Sequence, residues 1–169
     1  MRWLAMKHAA EHSGYDSNSA MRLANAAFGK FMAYRNDVEI YADVMPVLTR
    51  LRRDYLLCSL TNGNADLMQI GIHHIFHHNL SAERVGAAKP APKIFREACR
   101  LAGVHPSSAV HVGDDPDNDI IAARAAGMKT IWDRTGTLQS WPHIERADAE
   151  VRSLSELGSH IRQFAAATA

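Results

Sequence analysis

The apolar run Ala109-Val110-His111-Val112 stops abruptly at Gly113-Asp114-Asp115-Pro116-Asp117-Asn118-Asp119. Four carboxylates follow a short stretch with the length and apolarity of a strand. A chain built this way must turn at the strand end and expose its charge there. Such a loop is suited to a hard cation such as Mg²⁺, which takes oxygen ligands and commonly shares them with a phosphate. Asp114 comes first after the strand and is the leading candidate for a direct ligand. Asp119, near the start of the next helix, suits a supporting role, and Asp115 lines the same site. Asp117 or Asn118 is expected to cap a helix over 118–126. Gly127 then fits the residue just past its end. Ala122, Ala123, Ala125 and Ala126 would make that helix slim enough to pack close to a sheet.

The rest of the chain alternates in the same way. Helices are expected over 1–12 and 19–34, separated by the turn and capping residues Ser13 to Asn18. Leu23, Ala27, Phe31 and Tyr34 recur at helical spacing and predict the buried face of the second helix. Further helices are expected over 42–53, from 65, over 92–102 and over 154–164. Strands are expected over 55–60, 109–112 and 129–132. Strands alternating with helices predict an α/β fold, a Rossmann-like parallel sheet with flanking helices. Ligands in such sheets bind beyond the carboxyl ends of the strands. Both the acidic loop and Thr61-Asn62-Gly63 fall there. The Thr61 hydroxyl can donate to a phosphate oxygen, and Gly63 allows close backbone approach. Lys89 precedes Pro90-Ala91-Pro92, where the prolines stiffen the entry to a helix. A lysine held there would neutralise a carboxylate and phosphate brought together.

Composition narrows the classes. In 169 residues with a net charge of +1, nothing favours electrostatic capture of nucleic acid or a membrane surface. No apolar run approaches a bilayer-spanning length. Lys7 and His8 interrupt any signal-like start. Cys58 and Cys99 are expected as buried, reduced thiols, which fits a cytoplasmic setting.

The ordered set Thr61-Asn62-Gly63, Lys89-Pro-x-Pro-x-Ile-Phe, Gly113-Asp114-Asp115-x-x-x-Asp119 and Ala122-Ala-x-Ala-Ala-Gly-Met128 resembles the haloacid dehalogenase-like (HAD) hydrolase superfamily. The resemblance covers roughly residues 38–134. Residues 1–37 look like a partial helical cap, and 38–169 like a HAD-like core. Ser59 to Asp66, with Ser81 to Gly86, is similar to the branch of flavin mononucleotide and pyrimidine nucleotide phosphatases. The resemblance implies Mg²⁺-dependent hydrolysis of a phosphate monoester through an aspartyl-phosphate. It implies a small phosphorylated metabolite as partner, a nucleotide or flavin phosphate among the options. It makes Thr61 and Lys89 catalytic, Thr61, Asn62, Gly63 and Lys89 substrate-binding, and Asp114, Asp119 and Asp115 the metal set.

The family's nucleophile lies in an Asp-x-Asp pair at the end of its first, central strand. Here the only such pairs are Asp115/Asp117 and Asp117/Asp119, inside the acidic loop. The expectation is therefore a chain lacking that strand through N-terminal truncation, with unpaired edges at the sheet centre. A second chain is one way to fill that centre. Such a chain would lack covalent phosphatase activity, and its upstream reading frame would encode an apolar strand followed by Asp-x-Asp. The alternative is a non-catalytic phosphate-ester or Mg²⁺-binding regulatory protein. A phospho-acceptor receiver domain fits less well, because its acidic pair precedes its lysine. The run His73-His74-Ile75-Phe76-His77-His78 offers a zinc reading if pairs four apart share a helix face. Trp3, Trp132 and Trp141 are candidates for stacking on an aromatic substrate.

Overall fold

The computed structural model describes residues 2–136 and 147–167. In chain order it contains α1 (Arg2–His12), α2 (Ser17–Asn36), α3 (Val44–Asp54), β1 (Cys58–Thr61) and α4 (Leu67–Ile70). Then come β2 (His78–Ser81), α5 (Ala82–Val85), α6 (Pro92–Ala102) and β3 (Val110–Gly113). A π-helical turn (Pro116–Ile121), α7 (Ala122–Ala125), β4 (Lys129–Asp133), β5 (Ala149–Val151) and α8 (Leu157–Ala166) complete it. The chain divides into two units: Met1–Glu39 with Ala65–Gly71, and Ile40–Asn64 with Ile72–Ala169. No described helix is long and apolar enough to cross a membrane.

The first unit is helical. Asp16 caps α2, its carboxylate accepting from the N–H groups of Asn18 and Ser19 at 3.0 and 3.1 Å. The helix lies along α1, where Trp3 Nε1 donates to Asn25 Oδ1 at 2.7 Å and the Arg2 guanidinium sits 4.9 Å from the Phe31 ring centroid. The predicted buried face of α2 is wrong. Leu23 and Tyr34 are exposed at 44% and 79%, and the buried positions are Ala20, Ala24 and Asn36. Of that stripe Phe31 alone is half-buried, under Arg2 of α1, while Ala27 is exposed with Leu23 and Tyr34. At the end of α2 the Asn36 amide makes a polar knot. Its Oδ1 accepts from Asp66 N–H at 2.9 Å and its Nδ2 donates to Gln69 Oε1 at 3.0 Å. Asp66 in turn caps α4 through Met68 N–H.

The second unit is α/β with parallel strands, as the alternation predicts. β1 pairs with β2, and β3, β4 and β5 form a second group in that order. Among the described residues β1 and β3 each pair on one side only. Leu51, Ile131, Val151 and Leu157 form a core between α3, α8 and one face of the three-stranded sheet. Ile94, Phe95, Ala122, Ala123 and Ala126 form another, joined by Leu60 of β1. The alanines give α7 the slim face expected, and α6 packs on both β1 and α7.

Several elements differ from expectation. The strand predicted over 55–60 runs Cys58–Thr61, because Tyr55 ends α3 with its N–H on Leu51 O. The helix predicted from 65 is the single turn α4. The predicted helix over 118–126 begins earlier, capped by Asp115 rather than Asp117 or Asn118, and winds as a π-helical turn before α7. Pro116, fixed in φ and lacking an N–H, fills its first position. Strands β2 and β5 were not anticipated. The histidine run shares no helix face: His73 and His74 lie in a 3₁₀ turn, His77 accepts from Leu57 N–H at 3.1 Å, and His78 opens β2.

Candidate functional site

Strand parity begins the site. In β3, Val110 and Val112 turn toward the core of α3 and α8, so His111 and Gly113 share the opposite face. A Cβ at Gly113 would collide with the Asp119 carboxyl group, 2.6 Å from its Oδ2. Glycine at the strand end thus allows the Asp119 side chain to lie against the backbone. Asp119 is buried, with only 4% of its side chain exposed.

Three donors meet that carboxylate. Lys89 Nζ and His111 Nε2 reach Oδ1 at 2.5 and 2.8 Å, and Asp115 N–H reaches Oδ2 at 3.3 Å. Burial alone would raise the Asp119 pKa; the bonds from His111 and Lys89 outweigh it and hold the carboxyl below its ordinary value. Lys89 is fixed at its backbone as well. The Asn62 side chain accepts from Lys89 N–H at 2.6 Å and donates to Lys89 O at 2.8 Å. One amide side chain at the end of β1 therefore clasps both backbone polar groups of the lysine. Pro92 starts α6 a few residues later, and the Lys89–Pro90 bond is cis.

Thr61 is the last residue of β1. Its Oγ1 accepts from Gly63 N–H at 2.9 Å, which leaves the hydroxyl proton free to be donated. The Gly63 N–H is used within this turn.

The acidic loop separates into distinct roles. Asp115 Oδ1 accepts from the N–H groups of Asp117 and Asn118 at 3.0 and 2.9 Å, and Oδ2 accepts from Asn118 Nδ2 at 2.8 Å. The bonds from Asn118 lead in holding the Asp115 carboxyl below its ordinary value. Asp114 is exposed, and its carboxylate has no hydrogen-bond partner among the described residues. Its backbone carbonyl is fixed by Trp132 Nε1 at 3.0 Å. Among the described residues no three His, Cys, Asp or Glu side chains converge as a metal cage. Mg²⁺ does not require one: it is commonly held by one or two carboxylates, keeping water and substrate phosphate for the rest of its shell. One carboxylate at the end of β3, without a hydrogen-bond partner among the described residues, suits that mode of binding.

The structure thus joins Asn62, Lys89 and Asp119 in one chain of contacts and sets Thr61 and Asp114 at strand ends that this chain connects. Sequence reading missed His111, Gly113 and the clasp by Asn62. The parity of Ala109 to Gly113 would have put His111 and Gly113 on one face. Of the three tryptophans, Trp132 is buried beneath Arg134, whose guanidinium lies 4.7 Å from its ring centroid. Trp3 bonds Asn25, and Trp141 lies outside the described residues.

The pattern of haloacid dehalogenase-like hydrolases matches residues 4–127, and the chain belongs to that family. It is 34% identical over 157 residues to phosphoserine phosphatase of Thermus thermophilus, covering 89% of this chain and 61% of that protein. It is 46% identical over 105 residues to glyceraldehyde 3-phosphate phosphatase of Methanopyrus kandleri, covering 59% and 45%. A 2-haloacid dehalogenase from Pseudomonas syringae pv. Tomato superposes with a TM-score of 0.93 at 40% identity, over 96% of this chain and 70% of that one. The chain spans about half to three fifths of the length of the two phosphatases.

Proposed function

We propose that these residues are the phosphate and Mg²⁺ side of a phosphate-monoester hydrolase. The carrying observation is the contact chain Asn62–Lys89–Asp119, which brings a fixed cation between the ends of β1 and β3. Lys89 keeps two further N–H donors for phosphate oxygens. The Thr61 hydroxyl supplies another. Asp114 would hold Mg²⁺, with Asp115 and Asp119 supporting the loop through the bonds described. Bound Mg²⁺ would offset phosphate charge, so that an anionic nucleophile can approach. The nucleophilic aspartate of the family would come from an Asp-x-Asp segment outside these 169 residues. The edges of β1 and β3 that stay unpaired among the described residues, and the greater length of the relatives, support this reading. Residues 1–37 would act as a partial cap. The substrate is a small phosphorylated metabolite. The phosphatases named above support that class, while the flavin or nucleotide option rests on Ser59 to Asp66 alone.

The free Asp114 carboxylate favours phosphate chemistry over dehalogenation, which needs no Mg²⁺. The test uses this chain and a form extended by its upstream coding sequence. Each is given Mg²⁺ with phosphoserine, glyceraldehyde 3-phosphate, flavin mononucleotide or 2-chloropropionate. The expected result is phosphate release by the extended form only, abolished by Asp114→Ala. Hydrolysis by the 169-residue chain itself, lost in Asp114→Ala, would overturn the placement of the nucleophile. Chloride release without Mg²⁺ would overturn the phosphatase reading. Phosphate binding without turnover in both forms would favour a regulatory protein.

A further inference from the structure

His111 is a buried polar residue inside an otherwise apolar strand, and its partners explain the position. A carboxylate oxygen only accepts, so Nε2 must donate to Asp119. A neutral ring then carries its proton on Nε2. The Phe95 ring stands edge-on to the imidazole, with centroids 5.0 Å apart at an interplanar angle of 88°. Phe95 is fully buried, so the imidazole is held laterally by a rigid neighbour. Both short bonds to Asp119 fall on Oδ1, one from His111 and one from Lys89. The Asp115 N–H on Oδ2 is longer and weaker at 3.3 Å. The torsion that rotates a carboxylate is broad and two-fold, so a carboxylate with a single strong donor is poorly fixed. With two donors on one oxygen it is fixed, and so is the lysine that shares that oxygen.

We infer that His111 is a positioning residue: acting through Asp119, it sets where Lys89 presents its ammonium group to a phosphate. This rests on the phosphate reading of Lys89 given above. The chemistry asks for a donor at one reach, a flat body to lie beside Phe95 and no requirement for charge. An aliphatic residue would fill the space but leave Oδ1 one donor short. Glutamine would restore an N–H at similar reach.

The test compares the full 169-residue chain with H111L, H111Q and K89A by calorimetry, using inorganic phosphate at saturating Mg²⁺. K89A is expected to lose at least about tenfold in affinity, the scale of one charge-assisted hydrogen bond. H111L is expected to lose about five- to tenfold, and H111Q to stay within about twofold of the unmodified chain, since only H111Q keeps a donor. In parallel, ¹H–¹⁵N spectra follow the Lys89 ammonium group and the His111 ring. The unmodified chain should show the Nε2–H tautomer, and H111L but not H111Q should shift the Lys89 signal. Equal losses in H111L and H111Q, or an unmoved Lys89 signal in H111L, would overturn the positioning role. If K89A binds phosphate normally, or the unmodified chain binds none, the phosphate reading fails and the Lys89 signal alone decides the role of His111. Should H111L not fold, H111M keeps the volume without the donor and is read in the same way.

Discussion

Helices α2 and α6 both carry enough apolar residues to bury a face, and they use them differently. Helix α6 buries Ile94, Phe95, Ala98 and Cys99, while α2, nearly twice as long, buries only Ala20, Ala24 and Asn36. In the α/β unit, large side chains from helix and sheet interlock. In the helical unit, Trp3 bonding Asn25 and Arg2 over the Phe31 ring join α1 to α2, and a hydrogen-bonded amide holds the end of α2. The first arrangement buries large apolar side chains, while the second buries few and relies on polar pairing. The comparison teaches that Lys89, His111 and Asp119 belong to the unit that holds the packed apolar clusters, where a displaced side chain is resisted by a core.

The contrast can be broken by mutation. Phe95→Ala is expected to cost about 3–5 kcal/mol in urea unfolding of the α/β unit, through lost burial and a cavity. A loss no larger than that of an exposed leucine would show that this core is loose. Asp119→Ala should cost about 3 kcal/mol, because it leaves Lys89 without its counter-charge.

The pH dependence has the same origin. The folded pKa of Asp119 lies below the unfolded value of about 3.9. Its stabilising effect is therefore complete well above that value and is lost as pH falls through the folded pKa. Asp148 titrates with the same sign: burial raises its pKa, but the bonds it accepts from Thr130 and Lys129 prevail. Acid unfolding of the α/β unit should begin below about pH 4. Asp119→Asn should flatten that part of the profile.

Smaller effects sharpen the comparison. Gly113→Ala should cost about 1–3 kcal/mol, since the added methyl meets Asp119 and cannot be relieved without moving it. Asn36→Leu should cost the helical unit about 1–2 kcal/mol by stranding the Asp66 N–H, with faster hydrogen exchange at that amide as the local readout. Leu23→Ala, on the exposed side of α2, should fall within about 0.5 kcal/mol. A penalty above 2 kcal/mol there would reveal a buried surface on α2 and remove the contrast.

Much of the α/β unit was legible in sequence because β3, α6 and β4 carry clear apolar patterns bounded by Gly, Pro and Asp. Strand β2 was not, since His78-Asn79-Leu80-Ser81 has a single buried apolar residue and earns its place by pairing with β1. Strand β5 has three residues in a charged stretch, and its start is fixed by Asp148 bonding Thr130 of β4. The face of α2 was misjudged because periodicity marks large apolar residues, whereas the buried positions are Ala20, Ala24 and Asn36. In the site, Thr61, Lys89 and Asp114 stood out by residue type and position. The partition of the acidic loop into cap, buried anchor and free carboxylate did not. It depends on which oxygen meets which donor, and that is a property of the folded loop.

Residues 65–71 fold with the helical unit although the α/β unit flanks them on both sides. The polypeptide therefore changes unit three times, after Glu39, Asn64 and Gly71. No single cut yields either unit whole. A fragment starting at Ile40 would carry Asp66 and Gln69 without Asn36, and one ending at Glu39 would carry Asn36 without them. Anyone exchanging the helical unit between relatives must graft two separate stretches, and the second begins within four residues of Thr61.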